Sequence, residues 1–102
     1  ENNCIKAWRG IGWCSFISQK HEQAMKYYEK IIEQKPLAID YMNAGHVAWV
    51  MGDIQKASVF YGKAITASGN RERFLEMFHK DEEALLTQGI REEDIPLMLD
   101  LL

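Results

Sequence analysis

Hydrophobic residues recur along this chain at the three- and four-residue spacing that is typical of helices burying one side. Between Ile5 and Ile17 the apolar positions crowd more than one face, which predicts a first helix with neighbours on two sides. A second helix carries apolar residues at helical spacing from Ala24 to Ile32, and Pro36 ends it. Apolar and polar residues nowhere alternate with a period of two over a useful length, so the pattern predicts an all-α chain.

The same unit then appears a second time. A third helix is predicted from about Ala38 to Met51, and a fourth closes at Ser68–Gly69–Asn70. Between them, Gly52 supplies the left-handed conformation of a turn and Asp53 is a plausible N-cap of the next helix. The first two-thirds of the chain is therefore predicted to be two helical hairpins.

Side-by-side comparison of the two hairpins reveals an internal repeat of 33 residues. Five residues recur unchanged, namely Gly12, Ala24, Tyr28, Lys30 and Ile32 as Gly45, Ala57, Tyr61, Lys63 and Ile65. Four further pairs are similar, namely Trp8/Tyr41, Phe16/Trp49, Ile17/Val50 and Tyr27/Phe60. A period of this length indicates stacked helical units, which form recognition surfaces far more often than catalytic centres.

The small and large positions of both copies resemble those of the tetratricopeptide repeat family. The first copy reads Trp8-x2-Ile11-Gly12, then Ala24-x3-Tyr28, then Pro36; the second reads Tyr41-x2-Ala44-Gly45, Gly52-Asp53, Ala57-x3-Tyr61. The resemblance covers about residues 5–36 and 38–69. It implies an all-α fold in which the hairpins stack as a short right-handed α-solenoid within a single domain, residues 1–102.

The last third of the chain departs from this pattern. One helix is predicted over Arg71–His79, a second begins at Asp81–Glu83 and ends at Gly89, and a third begins at Glu93–Pro96. We interpret these as a degenerate third hairpin followed by a terminal helix. The segment Leu97–Leu102 is too apolar to be a fully exposed cap, so it either folds over the end of the stack or is covered by another segment or subunit.

Charge and cysteine content narrow the classes of partner. The net charge is -3 and the basic residues are scattered among acidic ones, so no nucleic-acid or anionic-membrane surface is expected. No apolar run approaches the ~18 residues of a membrane span.

Cys4 and Cys14 would lie about 15 Å apart on one helix, which predicts two reduced thiols and a cytoplasmic location. The chain begins at Glu1, which leaves open that it is a piece of a longer protein.

Catalytic and metal chemistry find little support. A nucleophile at Cys14 with His46 as base lacks a third orienting group and an oxyanion motif, so the protein is not expected to be an enzyme. Neither Cys-x2-Cys nor His-x3-His spacing occurs, and no glycine-rich phosphate loop is present. No metal or cofactor is predicted.

The family resemblance instead implies a binding groove. In that family the first helix of each hairpin lines a concave surface that binds a protein or peptide, and the matching candidate residues here are Arg9, Trp13, Phe16, Ile17, Met42, Asn43, His46, Trp49 and Arg73. Large aromatics with a polar edge are typical interface hot spots. Two alternatives stay open for this surface: Trp13 and Trp49 belong to the core, or the C-terminal helix occupies the groove.

A carboxylate clamp is a further possibility that the resemblance raises. Some members of the family bind a C-terminal carboxylate, and Arg9, Asn43 and Arg73 fall at or near the matching positions, although Trp13 replaces an asparagine of that clamp.

The function predicted from the repeat and the family resemblance is a protein–protein interaction module. The alternatives are an assembly unit that dimerises through Leu97–Leu102, or an accessory domain of a longer protein.

Overall fold

The structure, a computed structural model, describes residues 3–102, which form seven α-helices and contain no strand. The helices are α1 (Asn3–Ile17), α2 (His21–Ile32), α3 (Ala38–Val50), α4 (Ile54–Ser68), α5 (Arg71–Lys80), α6 (Glu82–Thr87) and α7 (Asp94–Asp100). The all-α prediction is confirmed, and the first four helices lie within a few residues of their predicted bounds.

Helices α1–α2 and α3–α4 form two hairpins of the same design. The turn of the second is made by Gly52, whose φ of +90° lies in the left-handed region, and the Asp53 carboxylate caps α4 by accepting from the Lys56 N–H at 3.0 Å. Gln19, at the matching place of the first turn, is also left-handed with φ of +63°. Each hairpin is closed by a glycine on its first helix that faces a buried tyrosine, Gly12 with Tyr28 and Gly45 with Tyr61.

The hairpins stack because α2 packs against α3. On α3 this contact buries Ala44 and Val47 completely. Ile11 and Cys14, their counterparts 33 residues earlier on α1, are exposed, and α1 has no helix on that side within the part of the chain that the structure describes. Equivalent positions of the repeat therefore differ in burial according to what lies next to them.

Helix α5 continues the stack by packing on α4 and α3. The Asn70 side chain caps it, accepting from the Arg73 N–H at 2.9 Å. Phe74 and Phe78 point inward with no exposed surface, and both rings contact Tyr61 edge-on at centroid distances of 5.8 and 5.6 Å. Burying two phenylalanines contributes roughly 1.5–3 kcal/mol each to folding, so α5 is an integral part of the core.

Helices α6 and α7 do not complete a third hairpin like the first two. The end of α6 reaches back to the first turn, where Gln88 contacts the Ile17 carbonyl and the His21 side chain. The end of α7 is tied to the start of α5, because the Arg71 guanidinium donates to the carbonyls of Leu99 and Leu102 at 2.9 and 3.1 Å. The C-terminal segment therefore contacts the first turn through α6 and the start of α5 through α7.

Candidate functional site

The nine residues predicted to line a groove fall into three classes of exposure. The buried ones are Phe16, Met42, His46 and Trp49, the half-buried ones are Arg9, Trp13 and Asn43, and the exposed ones are Ile17 and Arg73. The surface formed by α1 and α3, the first helices of the two hairpins, is here called the first-helix side of the repeats. It is thus only partly open to solvent.

His46 lies in the interior, in a network that joins three helices. Its Nε2–H donates to the Asp81 carboxylate at 3.0 Å, and its Nδ1 lies 2.6 Å from the Tyr61 hydroxyl. The ring also meets Phe78 edge-on, with centroids 5.5 Å apart. Because α5 and the start of α6 cover it, His46 has no surface left for a partner.

Phe16, Met42 and Trp49 are also core residues. Phe16 is fully buried between Trp13 and His21, with ring centroids 5.4 and 5.9 Å away. Trp49 retains 7% of its surface and packs edge-on against Tyr61. All four residues, these three and His46, are interior in this structure.

Arg9 binds an internal carboxylate. Its Nε and Nη2 donate to the two oxygens of Asp40 at 2.7 and 2.8 Å, a bidentate arrangement that crosses from α1 to α3. Asp40 is fully buried and also accepts from the Leu37 N–H at 2.8 Å, at the start of α3. The guanidinium edge that a clamp would offer to a ligand carboxylate is thus engaged by Asp40, a residue that the sequence analysis did not single out.

Asn43 is directed toward the interior beside Tyr28. Its amide oxygen is buried and, within residues 3–102, has no hydrogen-bond partner; the same holds for the Tyr28 hydroxyl. Burial, reinforced by the nearby Asp40 carboxylate, raises the pKa of Tyr28. Arg73 is exposed on α5. With Arg9 on Asp40 and Asn43 turned inward, the three residues do not present an open carboxylate clamp.

The open part of the first-helix side lies at the end of α1. There the Gln88 amide links α6 to the first turn, accepting from His21 Nε2–H at 2.7 Å and donating to the Ile17 carbonyl at 3.3 Å. Beside this contact lies a surface cavity of about 350 Å³, lined by Ile17, Lys80, Glu83, Ala84, Thr87 and Gln88. Trp13, one turn before Ile17, remains half-exposed.

The candidate nucleophile and base are not brought together. Cys14 is exposed and lines an outer depression with Gly10 and Gln23, whereas His46 is enclosed by Tyr61 and Asp81. In the segment from residue 3 onward, no three histidine, cysteine or acidic side chains are grouped so that they could hold a metal ion. The helices in that segment also lack the length and apolar character needed to cross a membrane.

Comparison with known proteins identifies the two hairpins. A family model described as "Tetratricopeptide repeat" matches residues 5–36 and 41–71, which together make up more than half of the chain. No curated protein and no solved structure matches this chain. The two matched segments cover α1–α2 and most of α3–α4. The chain therefore belongs to the tetratricopeptide repeat family.

Proposed function

We propose that this chain is a protein–protein interaction module that binds a peptide or protein segment on the first-helix side of its repeats. Tetratricopeptide repeats generally mediate binding between proteins, which gives the class of function. The particular surface follows from what the chain itself leaves uncovered. The half of this side that α3 contributes is filled by Phe78, Asp81 and the α7 segment, so binding is assigned to the half that α1 contributes.

The observation that carries this proposal is the exposure of Ile17 at the mouth of the cavity beside α6. More than half of Ile17 (54%) is in solvent, and Ile17 is the residue lining this cavity that also belongs to the predicted groove. A cavity of about 350 Å³ is within the range of sites that bury a ligand group. Lys80 and Glu83 at its edge can orient polar groups of a partner.

Trp13 would add a second, rigid anchor. Its ring is held against Phe16 and therefore loses little conformational freedom when a partner binds. Partly exposed aromatics beside an aliphatic residue are typical centres of binding energy. We therefore expect the partner to insert an apolar side chain next to Ile17 and to cover the exposed edge of Trp13.

The test compares variants of an exposed residue, Ile17, and a half-buried one, Trp13. Ile17→Asp and Trp13→Ala are expected to weaken partner binding, measured by affinity capture followed by calorimetry, while circular dichroism stays helical. Val59→Asp is the matched control, because Val59 is equally exposed (53%) and lies on α4, which is the second helix of its hairpin and does not belong to the first-helix side. If Ile17→Asp and Val59→Asp bind the captured partner equally well, the proposed surface is wrong.

A further inference from the structure

A second apolar depression lies between α7 and the corner where α3 meets α4. We name it the α7 groove; its volume is about 460 Å³ and its lining is Trp49, Ile54, Asp94, Leu97, Met98, Asp100 and Leu101. The buried side chains of Trp49 and Met98 form the floor. None of these residues lines the cavity beside Ile17, so the α7 groove is a separate surface.

The walls of the α7 groove are large aliphatic side chains that the fold leaves in solvent. Leu97 on α7 and Leu101, directly after the end of α7, are 62% and 63% exposed, and Ile54 of α4 lines the same groove. Single exposed aliphatic residues are ordinary on protein surfaces. Three of them around one concave apolar floor are not, and such a patch marks a place where another chain binds.

The charged residues that line the α7 groove indicate the charge of the partner that would bind there. Its charged lining residues are two carboxylates, Asp94 and Asp100, and no lysine or arginine lines it. Arg91 holds Asp94 through N–H groups 3.1 and 3.2 Å from the carboxylate, and Asp100 is exposed. A partner that places a positive charge beside its apolar anchors would complement this rim.

The same charges oppose a second copy of this chain as the occupant. A two-fold symmetric dimer through α7 would bring the Asp94 and Asp100 carboxylates of both copies into one interface. Like charges brought together at an interface are unfavourable. The predicted homodimer through Leu97–Leu102 is therefore the weaker way to cover this surface.

We propose that the α7 groove binds a short apolar segment of another protein that carries lysine or arginine next to its apolar anchors. Leu97, Leu101 and Ile54 enclose the anchors, and Asp100 pairs with the positive charge. This surface is independent of the one beside Ile17, and either can fail without the other.

The test uses the full chain and two synthetic amphipathic peptides of equal length, one built from leucine and lysine and the other from leucine and glutamate. Fluorescence anisotropy is expected to show binding of the lysine peptide and little binding of the glutamate peptide. Leu97→Ala should weaken the lysine peptide by at least about tenfold, as for a hot-spot residue, and leaves the charge of the groove unchanged. Asp100→Lys should weaken it as well and improve binding of the glutamate peptide. Val59→Ala, at an exposed residue that does not line the groove, should leave both affinities unchanged.

Three results would overturn this assignment. Equal binding of both peptides would mean that charge does not select the partner. A Leu97→Ala variant that binds as tightly as Val59→Ala would mean that the peptide lies elsewhere. Sedimentation of the unliganded chain as a dimer that Leu97→Ala dissociates would mean that a second copy occupies the groove.

Discussion

The Tyr61 hydroxyl lies 2.6 Å from Nδ1 of His46, between α4 and α3. Asp81 binds the other ring nitrogen, so the hydroxyl completes a chain of three polar groups that is buried at Tyr61 and His46 and partly exposed at Asp81. Tyr28 occupies the same position of the first repeat and is equally buried, but its hydroxyl has no hydrogen-bond partner within residues 3–102. Two matching tyrosines therefore make different contributions to stability.

Removing the two hydroxyls should separate these contributions. Tyr61→Phe leaves Nδ1 of His46 buried and unsatisfied, and we expect it to lower the free energy of unfolding by about 1–3 kcal/mol. Tyr28→Phe removes a hydroxyl that gains nothing from burial, so its effect should lie between neutral and a stabilisation of about 1 kcal/mol. Urea unfolding followed by circular dichroism measures both. An equal loss in the two variants would mean that the Tyr28 hydroxyl is bonded, with Asn43 as the adjacent candidate.

Both buried tyrosines also predict a loss of stability in alkali. Burial raises the pKa of Tyr28 and of Tyr61, with nearby Asp40 adding to the first and Asp81 to the second. The neutral phenol is thus favoured in the folded state, and this stabilisation is complete below about pH 10, the pKa of tyrosine in an unfolded chain. Above that pH, the free energy of unfolding should fall as pH rises. The fall should be shallower in Tyr28→Phe, and unchanged steepness in that variant would contradict the argument.

The glycines facing these tyrosines should differ in their tolerance of a methyl group. A Cβ at Gly45 would lie 2.6 Å from the Tyr61 ring, which Phe74 and Phe78 hold from the other side. At Gly12 the matching distance to Tyr28 is 3.1 Å. We expect Gly45→Ala to cost roughly 1–3 kcal/mol and Gly12→Ala clearly less, because a small shift of Tyr28 relieves the contact.

The control for the glycine pair is Gly10, where an added Cβ meets no atom within 4 Å. Gly10→Ala lies on the same helix as Gly12 and should stabilise the protein by about 0.5–1 kcal/mol through helix propensity alone. Thermal unfolding of the three variants tests the order. A Gly45→Ala variant as stable as the parent would show that the Tyr61 cluster can rearrange.

Much of the fold could be predicted from local patterns, because helix periodicity and the end signals at Pro36, Gly52 and Asp53 determine the conformation of residues next to them in the chain. The internal repeat also predicted which small residue packs against which large one, as at Gly45 and Tyr61. What these patterns could not predict is exposure. Ile11 and Ala44 hold matching positions of the repeat, yet only Ala44 is covered, because α2 packs against α3 and not against the outer side of α1.

The candidate site was the least predictable part for the same reason. His46 and Trp49 stand on the helix that the family resemblance assigns to a groove, and the sequence around them does not show that the C-terminal segment covers them. That arrangement depends on contacts such as Gln88 with Ile17, which are 71 residues apart in the chain. Asp40 was not among the predicted site residues, although an acidic residue three positions after an N-cap is a capping signal. Its partner Arg9 could be found only in three dimensions.

The Asp40 carboxylate supplies a final prediction, with Asp53 as its matched control. Both accept a backbone N–H at the start of a helix, from Leu37 and from Lys56. Asp53 is exposed, so Asp53→Ala should cost about 1 kcal/mol, as is usual for a lost cap. Asp40 is fully buried and also holds the Arg9 guanidinium.

Asp40→Ala removes one partner of a largely buried ion pair together with the cap, and we expect a loss of about 3–5 kcal/mol in the free energy of unfolding. Asp40→Asn keeps the shape and one acceptor oxygen, so it should fall between the two alanine variants. Urea unfolding of the three variants in parallel gives the order. If Asp40→Ala costs no more than Asp53→Ala, the link from α1 to α3 through Arg9 contributes nothing beyond the cap. The ion pair would then add nothing to the stacking of the two hairpins.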